Sequence, residues 1–506
     1  MIEKTFKLLI FLLILIPVLL YSCGPDNPEE PLAETGGNTE NPDNAADSAV
    51  SENLDEEPAA AADYTFPEAD YGGADFTVLV SATKEWQPTN ISDIVIEEEI
   101  GEVLNDSIYN RNLQTEEIFN VVLKQTEIHP DNIISQARRL ITAGDDAYDA
   151  MFISHSWNGA IGTIALEGGL YNLAELSEIN FSGPWWTRNV NEQLKIGSSN
   201  AQYFAMNDIV VHGMQAAMMM CFNESMLQDL NLDFPYDLVR TGKWTLDEYE
   251  KYVRAGTNIN NDENWRWNSG GSSIYGHVSY HMAATALLIG TDVQIIGFDS
   301  DNLPYLAVEN EHFYNAVQRL SEILSVEGHY LYSDNIEPGR ADVFMDERAL
   351  FVDGHLGTAA SLREMETPFG ILPMPKYDEN QADYRTNMHS GTAFTVVPVT
   401  NADPGRAAVI LDAMAYLSYK DVRPAYFEVA LPNKHLRNEA SVDMLQIIMD
   451  TRSVHVGYVY GWTNNFLDNS MRTAIQSASP NTASLIERNR DAISANISAT
   501  VDFFSE

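Results

Sequence analysis

The segment from Asp75 to Ile153 restricts the fold more than any other part of the chain, because three short apolar runs alternate there with two helix-patterned stretches. Asp75-Phe76-Thr77-Val78-Leu79-Val80 reads as a buried strand. Val121-Val122-Leu123-Lys124 reads as a second, and Tyr148-Asp149-Ala150-Met151-Phe152-Ile153 as a third. The intervening segments, 91–115 and 132–143, read as helices, the second ended by Gly144-Asp145-Asp146. Strand, helix, strand, helix, strand predicts an α/β fold with a parallel sheet covered on both faces. Ligands of such sheets bind outside the carboxyl ends of the strands. That rule selects Glu85 and Trp86 after the first strand, and His155 and Trp157 after the third, as candidate ligand contacts.

The start of the chain bears on location. Lys4 and Lys7 precede an apolar run from Leu8 to Leu20, the layout of a secretion signal and a short one for a membrane-spanning helix. Leu20-Tyr21-Ser22-Cys23 follows and resembles the lipobox of bacterial lipoproteins, in which the cysteine is acylated. The resemblance implies cleavage of residues 1–22, a lipid on Cys23, and residence on the outer face of the cytoplasmic membrane. From Gly24 to about Asp70 the chain is Pro, Asn, Gly, Ala, Ser, Asp and Glu, too poor in apolar residues to offset its chain entropy, so 23–70 reads as an acidic tether. With Cys23 acylated, Cys221 has no cysteine partner; in Met218-Met219-Met220-Cys221-Phe222 it reads as an inert core thiol. A net charge of −45 argues against nucleic acid and against anionic membrane surfaces as partners.

Further along, 202–206 and 218–223 read as strands. Thr245-Leu246-Asp247-Glu248 opens a helix with a capping box. Residues 344–352 read as a turn and a strand broken at Asp353-Gly354, and 369–375 and 394–398 as further short strands. Asp403 caps a helix with Pro404 in its first turn, and the last hundred residues look mainly helical.

Several of these segments, in this order, resemble the extracellular solute-binding proteins of ABC importers, in particular the large sugar-binding type related to maltose-binding protein. They are Tyr148-Asp149-Ala150-Met151, Gly168-Gly169-Leu170-Tyr171-Asn172-Leu173, Asn223 after its apolar run, Gly242-Lys243-Trp244-Thr245-Leu246-Asp247-Glu248 and Gly370-Ile371-Leu372-Pro373-Met374-Pro375-Lys376. The resemblance implies a two-lobe periplasmic-binding-protein-like fold (type II), with discontinuous lobes, a hinge and an interlobe cleft. Mapped here, the first lobe would be 71–184 plus 390–450, and the second 185–389 plus 451–506. It also implies a monomeric receptor that holds a carbohydrate and delivers it to ABC importer permease subunits, touching the membrane only through its lipid.

A sugar site mixes aromatic faces with planar polar groups. Trp265-Arg266-Trp267-Asn268 has that mixture, so Trp265 and Trp267 are candidate contacts, with packing onto the lobe as the alternative. Asp353 and His355 align with a family loop that places an aromatic in the cleft; Trp462 and Asn464 lie where relatives carry another. Trp185, Trp186 and Trp244 read as structural. Catalysis has little support: there is no Gly-rich phosphate loop, no G-x-S-x-G and no H-E-x-x-H. His277 and His281 would share a face only on a helix, so neither a metal nor a cofactor is expected. A receptor for a non-sugar solute (a peptide or polyamine) and a cell-surface glycosidase are the alternative functions.

Overall fold

A computed structural model describes residues 64–82, 94–154, 159–268, 271–332, 339–362, 365–430 and 439–505. Cys23, Glu85, Trp86, His155 and Trp157 lie outside the described residues. The first sheet contains β1 (Ala74–Ser81), β2 (Val121–Ile128), β3 (Ala150–Ser154) and, from far downstream, β12 (Ala393–Val396). Its order is β12-β3-β1-β2; β1 runs parallel to β2 and β3, and β12 antiparallel to β3. Phe76, Val78 and Val80 enter one core and Leu79 the other. Both faces are thus buried, which is why the run lacks a polar alternation. The helix Ile133–Thr142 covers one face by burying Ile133, Ile134 and Ala137.

The second sheet has the order β10-β4-β9-β5-β8. Its strands are β4 (Met218–Asn223), β5 (Tyr275–Ser279), β8 (Tyr330–Tyr332), β9 (Ala349–His355) and β10 (Phe369–Leu372). β5, β8 and β9 are parallel, and β4 and β10 are antiparallel additions. β4 is buried throughout, and Asn223 Oδ1 ends it by accepting from Met226 N (2.9 Å). Cys221 is fully buried, and burial pushes its thiol well above the ordinary cysteine range. β6 (Ile296–Phe298) and β7 (Pro304–Leu306) form an antiparallel ribbon, and β11 (Thr386–Asn387) pairs in parallel with β13 (Arg452–Ser453).

The chain passes between the sheets at 212–218 and again at 386–393, and β13 lies against the second of these passages. Ala217 bridges Met388, His389 N donates to Ala216 O (2.9 Å), and Met388 N donates to Ser453 O (3.2 Å). Arg452, in β13, is fully buried and donates to Asp208 Oδ1 (3.0 Å) and Gly213 O (3.1 Å).

Packing crosses the expected lobe boundaries in two places. Within 185–210, expected in the second lobe, Trp185, Trp186, Ala205, Ile209 and Val210 join Phe76 and Ala407 in one core, while Val190, Leu194, Ile196, Phe204 and Met206 belong to the other. Both indoles donate to one carboxylate oxygen of Asp412, at 2.9 Å from Trp185 and 2.7 Å from Trp186. Conversely, the helix Glu439–Asp450, expected in the first lobe, packs on β10 and on the helix Tyr236–Arg240.

Local expectations divide in the same way. Asp403 caps the helix Pro404–Leu417 by accepting from Arg406 N (3.0 Å). No capping box forms at Thr245, because the preceding residues pair with another strand: Leu246 N donates to Lys376 O (2.8 Å) and Lys376 N to Trp244 O (3.0 Å), while Glu248 pairs with Lys251. Trp244 does staple that helix, edge-on to Tyr249 at 6.3 Å. The helix expected over 91–115 occupies Val103–Phe119. Residues 202–206 are extended but make only a single bridge to the first sheet, Ala205 to Thr395. β9 runs unbroken through Asp353 and Gly354; any larger residue at 354 would meet Thr358 Oγ1 at 2.1 Å.

Candidate functional site

The carboxyl ends of the central strands meet at the passages. Ser154, the last residue of β3, pairs with Ala393, and His355, the last of β9, pairs with Met218. The segments 212–218 and 388–393 therefore run between the two sheet ends, where the strand-end rule places a ligand.

Side chains from both passages and from the second sheet gather there. The ring of His355 meets that of His389 edge-on at 5.7 Å. His355 and Gln215 both close over Gly357, where a Cβ would lie 2.8 Å from the imidazole and 2.9 Å from the amide nitrogen. His212 and His389 close over Gly391 in the same way, at 3.1 and 3.2 Å. Burial, with help from the charge of Arg340 and from His212, holds the His355 imidazole down at about 3. Burial holds His212 at about 4. Both rings are thus neutral near pH 7, able to donate and accept hydrogen bonds.

Arg340 and Tyr280 complete this wall. Tyr280 directly follows β5, and the Arg340 guanidinium lies 4.0 Å above its ring centroid. Arg340 Nε donates to Asp353 O (3.1 Å), fastening the guanidinium to the end of β9.

The structure puts the sequence-selected residues in different places. His355 is half-buried in the wall. The carboxylate of Asp353, expected to face ligand, is fully buried inside the second lobe. There it accepts from Ser279 Oγ (2.6 Å) and faces His277 Nε2 (3.1 Å), and His277 Nδ1 lies 2.6 Å from the Tyr249 hydroxyl. His277 is on a strand and His281 starts the next helix, so they share no helix face. Among the described residues no group of three or more His, Cys, Asp or Glu is placed to hold a metal ion.

Trp265 and Trp267 lie at the other end of the second sheet. The Trp265 ring covers Gly328, where a Cβ would come within 2.0 Å of it, and is 5.6 Å from the ring of Tyr275. Arg348, the residue before β9, holds the backbone of this loop through Arg266 O, Trp267 O (2.9 Å) and Ser273 O (3.3 Å). This fastening is at the amino ends of β5 and β9, away from His355. Trp462 is buried, stacks on Tyr460 at 5.0 Å, and donates to Thr500 Oγ1 (3.0 Å), which secures the terminal helix Thr482–Ser505. Asn464 is half-buried, two residues beyond Trp462.

Tyr280, Arg340, Gln215, His212 and His389 were not selected from the sequence. Tyr280 was within reach: the rule that picked Trp86 and Trp157 picks it too, once Tyr275–Ser279 is read as a strand. The other four depend on how distant segments cross.

No protein-family model matches the chain, and no curated protein matches it in sequence. Solved structures do resemble it in fold. The cyclic α-maltosyl-1,6-maltose binding protein of Arthrobacter globiformis matches with a TM-score of 0.54 at 15% identity, over 86% of this chain and 100% of its own. Apo RafE of Streptococcus pneumoniae matches with a TM-score of 0.54 at 12% identity, over 86% and 100%. An ABC substrate-binding protein of Listeria monocytogenes, solved with cycloalternan, matches with a TM-score of 0.50 at 12% identity, over 85% and 100%. Among the described residues no helix is long and apolar enough to cross a membrane. The chain has the two-lobe α/β fold of the ABC solute-binding proteins.

Proposed function

We propose that this protein is a substrate-binding lipoprotein of an ABC importer, which captures a carbohydrate between its lobes and delivers it to membrane permease subunits. One observation carries the reading: the carboxyl ends of two separate sheets abut the same crossing segments, lined by Tyr280, Arg340, His355, Gln215, His212 and His389. A hinge at those segments would open and close the lobes on a ligand. The wall combines an aromatic ring, neutral imidazoles, an amide and a guanidinium, which suits hydroxyl-rich molecules. Two of the structural neighbours are named for, or were solved with, cyclic oligosaccharides. The protein works without catalysis, and Cys23 holds it on the outer face of the cytoplasmic membrane as a monomer.

The test is a thermal-unfolding screen of the purified protein against oligosaccharides, peptides and polyamines, with calorimetry on each hit. A ligand that binds only the native state raises the transition by mass action. Stabilisation by an oligosaccharide, with no reducing sugar released, is the expected result. Stabilisation by peptides or polyamines alone refutes the sugar reading. The anchor is checked separately: Cys23→Ala should release the protein from the membrane fraction.

A further inference from the structure

We infer that the ligand is an acidic saccharide, one bearing a carboxylate or a phosphate, and that Arg340, seated on Tyr280, receives its negative group. The inference rests on the carbohydrate reading above and adds the charge of the cargo.

Arg340 is half-buried, yet it makes no ion pair with any described carboxylate, whereas nine other described arginines, among them Arg319, Arg406, Arg423 and Arg452, do. Among the described residues only Asp353 O engages it, through its Nε. The Tyr280 ring supports one face of the guanidinium plane. Two of its nitrogens remain, with donors in the fixed fork that matches a carboxylate or phosphate. The ring beneath and the bond to β9 restrict the side chain in advance, which lowers the entropy lost when a ligand is bound.

The surroundings favour the same charge. Asp353, the acid described at this end of β9, is turned away and occupied by Ser279 and His277. His355, His212, His389 and Gln215 provide groups for hydroxyls and bring no negative charge. The chain as a whole carries −45, a field that repels anions. A cation partly withdrawn from water, with no ion pair to any described carboxylate, is therefore a local exception, and an anionic ligand would complete it.

The experiment is calorimetric titration of the full chain with matched ligands: a neutral oligosaccharide, the corresponding uronic acid oligomer, and a sugar phosphate. Acidic saccharide should bind roughly tenfold or more tighter than its neutral counterpart, the range for a hydrogen bond to a charged group. The uronate and phosphate arms identify which acid the site accepts. Arg340→Gln should remove the preference, lowering acidic affinity by roughly tenfold to a hundredfold and neutral affinity by about threefold at most. Arg340→Lys should keep part of it. Equal binding of neutral and acidic forms by the wild type overturns the inference while leaving the carbohydrate reading intact, and that comparison holds even if a variant fails to fold. Unchanged selectivity in a folded Arg340→Gln variant also overturns it. Failure of every saccharide to bind overturns the carbohydrate reading and this inference together.

Discussion

Asp412 offers the sharpest test of how the first lobe is assembled. Its Oδ1 accepts from the indoles of Trp185 and Trp186 and from Asn180 N, at 2.9, 2.7 and 3.1 Å. The carboxylate is 2% exposed, and the two tryptophans 3% and 1%. Asp412→Ala deletes the acceptor and leaves two indole N–H groups with no route to water; Asn180 is exposed and can be rehydrated. An unsatisfied buried donor costs roughly 1–3 kcal/mol, so the pair should cost about 3–5 kcal/mol. Asp412→Asn keeps an acceptor oxygen and should lose less than half of that. Denaturant unfolding, followed by circular dichroism and by tryptophan emission, measures both variants against wild type. The emission transition should shift with the global one, because both rings sit in the lobe's core. A loss below about 1 kcal/mol in Asp412→Ala would show that the indole bonds contribute little net stability, and the reasoning would fail.

Three further predictions concern other parts of the molecule. Arg452→Ala strands the buried Asp208, whose remaining cation, Arg423, is 3.7 Å away, and should cost about 3–5 kcal/mol in thermal or chemical unfolding. Trp265→Ala opens a void over Gly328 and should cost roughly 2 kcal/mol, while ligand affinity measured by calorimetry stays the same. The pH response follows from His355, whose folded value of about 3 lies below its ordinary 6.5. The unfolded chain then binds the proton more readily, so stability is full above the ordinary value and is lost as pH falls towards the folded one. By about pH 5 the loss from this ring should be about 2 kcal/mol. His355→Gln should flatten that part of the profile, and a wild-type minus variant difference that is independent of pH would refute the assignment.

The parts legible in the sequence were those set by near neighbours. The first three strands follow from apolar runs, and the cap at Asp403 from a carboxylate three residues before the amide it accepts. The rest depended on partners far along the chain. Trp186 and Asp412 are 226 residues apart, and without that bond Pro184 looked like a lobe boundary. Asp353 sits at a strand end, where a carboxylate can face a cleft or the interior; Ser279, 74 residues earlier, draws it inward. Trp265 and Trp267 have the composition of a sugar-binding loop, but composition does not say which end of a strand a loop joins. Tyr249, the acceptor or donor for buried His277, is likewise visible only once the helix and strand are packed.

The pairing of β12 with β3 also dictates an order of events. β3 ends at Ser154, and the strand that covers its outer edge begins at Ala393. A chain made or threaded from its amino end therefore presents Met151-Phe152-Ile153 with a bare row of backbone donors and acceptors until most of its length has arrived. Such an edge is an invitation to pair with any other extended chain. Pairings this distant also close slowly, because a long loop must be gathered first. The first lobe thus cannot lock early.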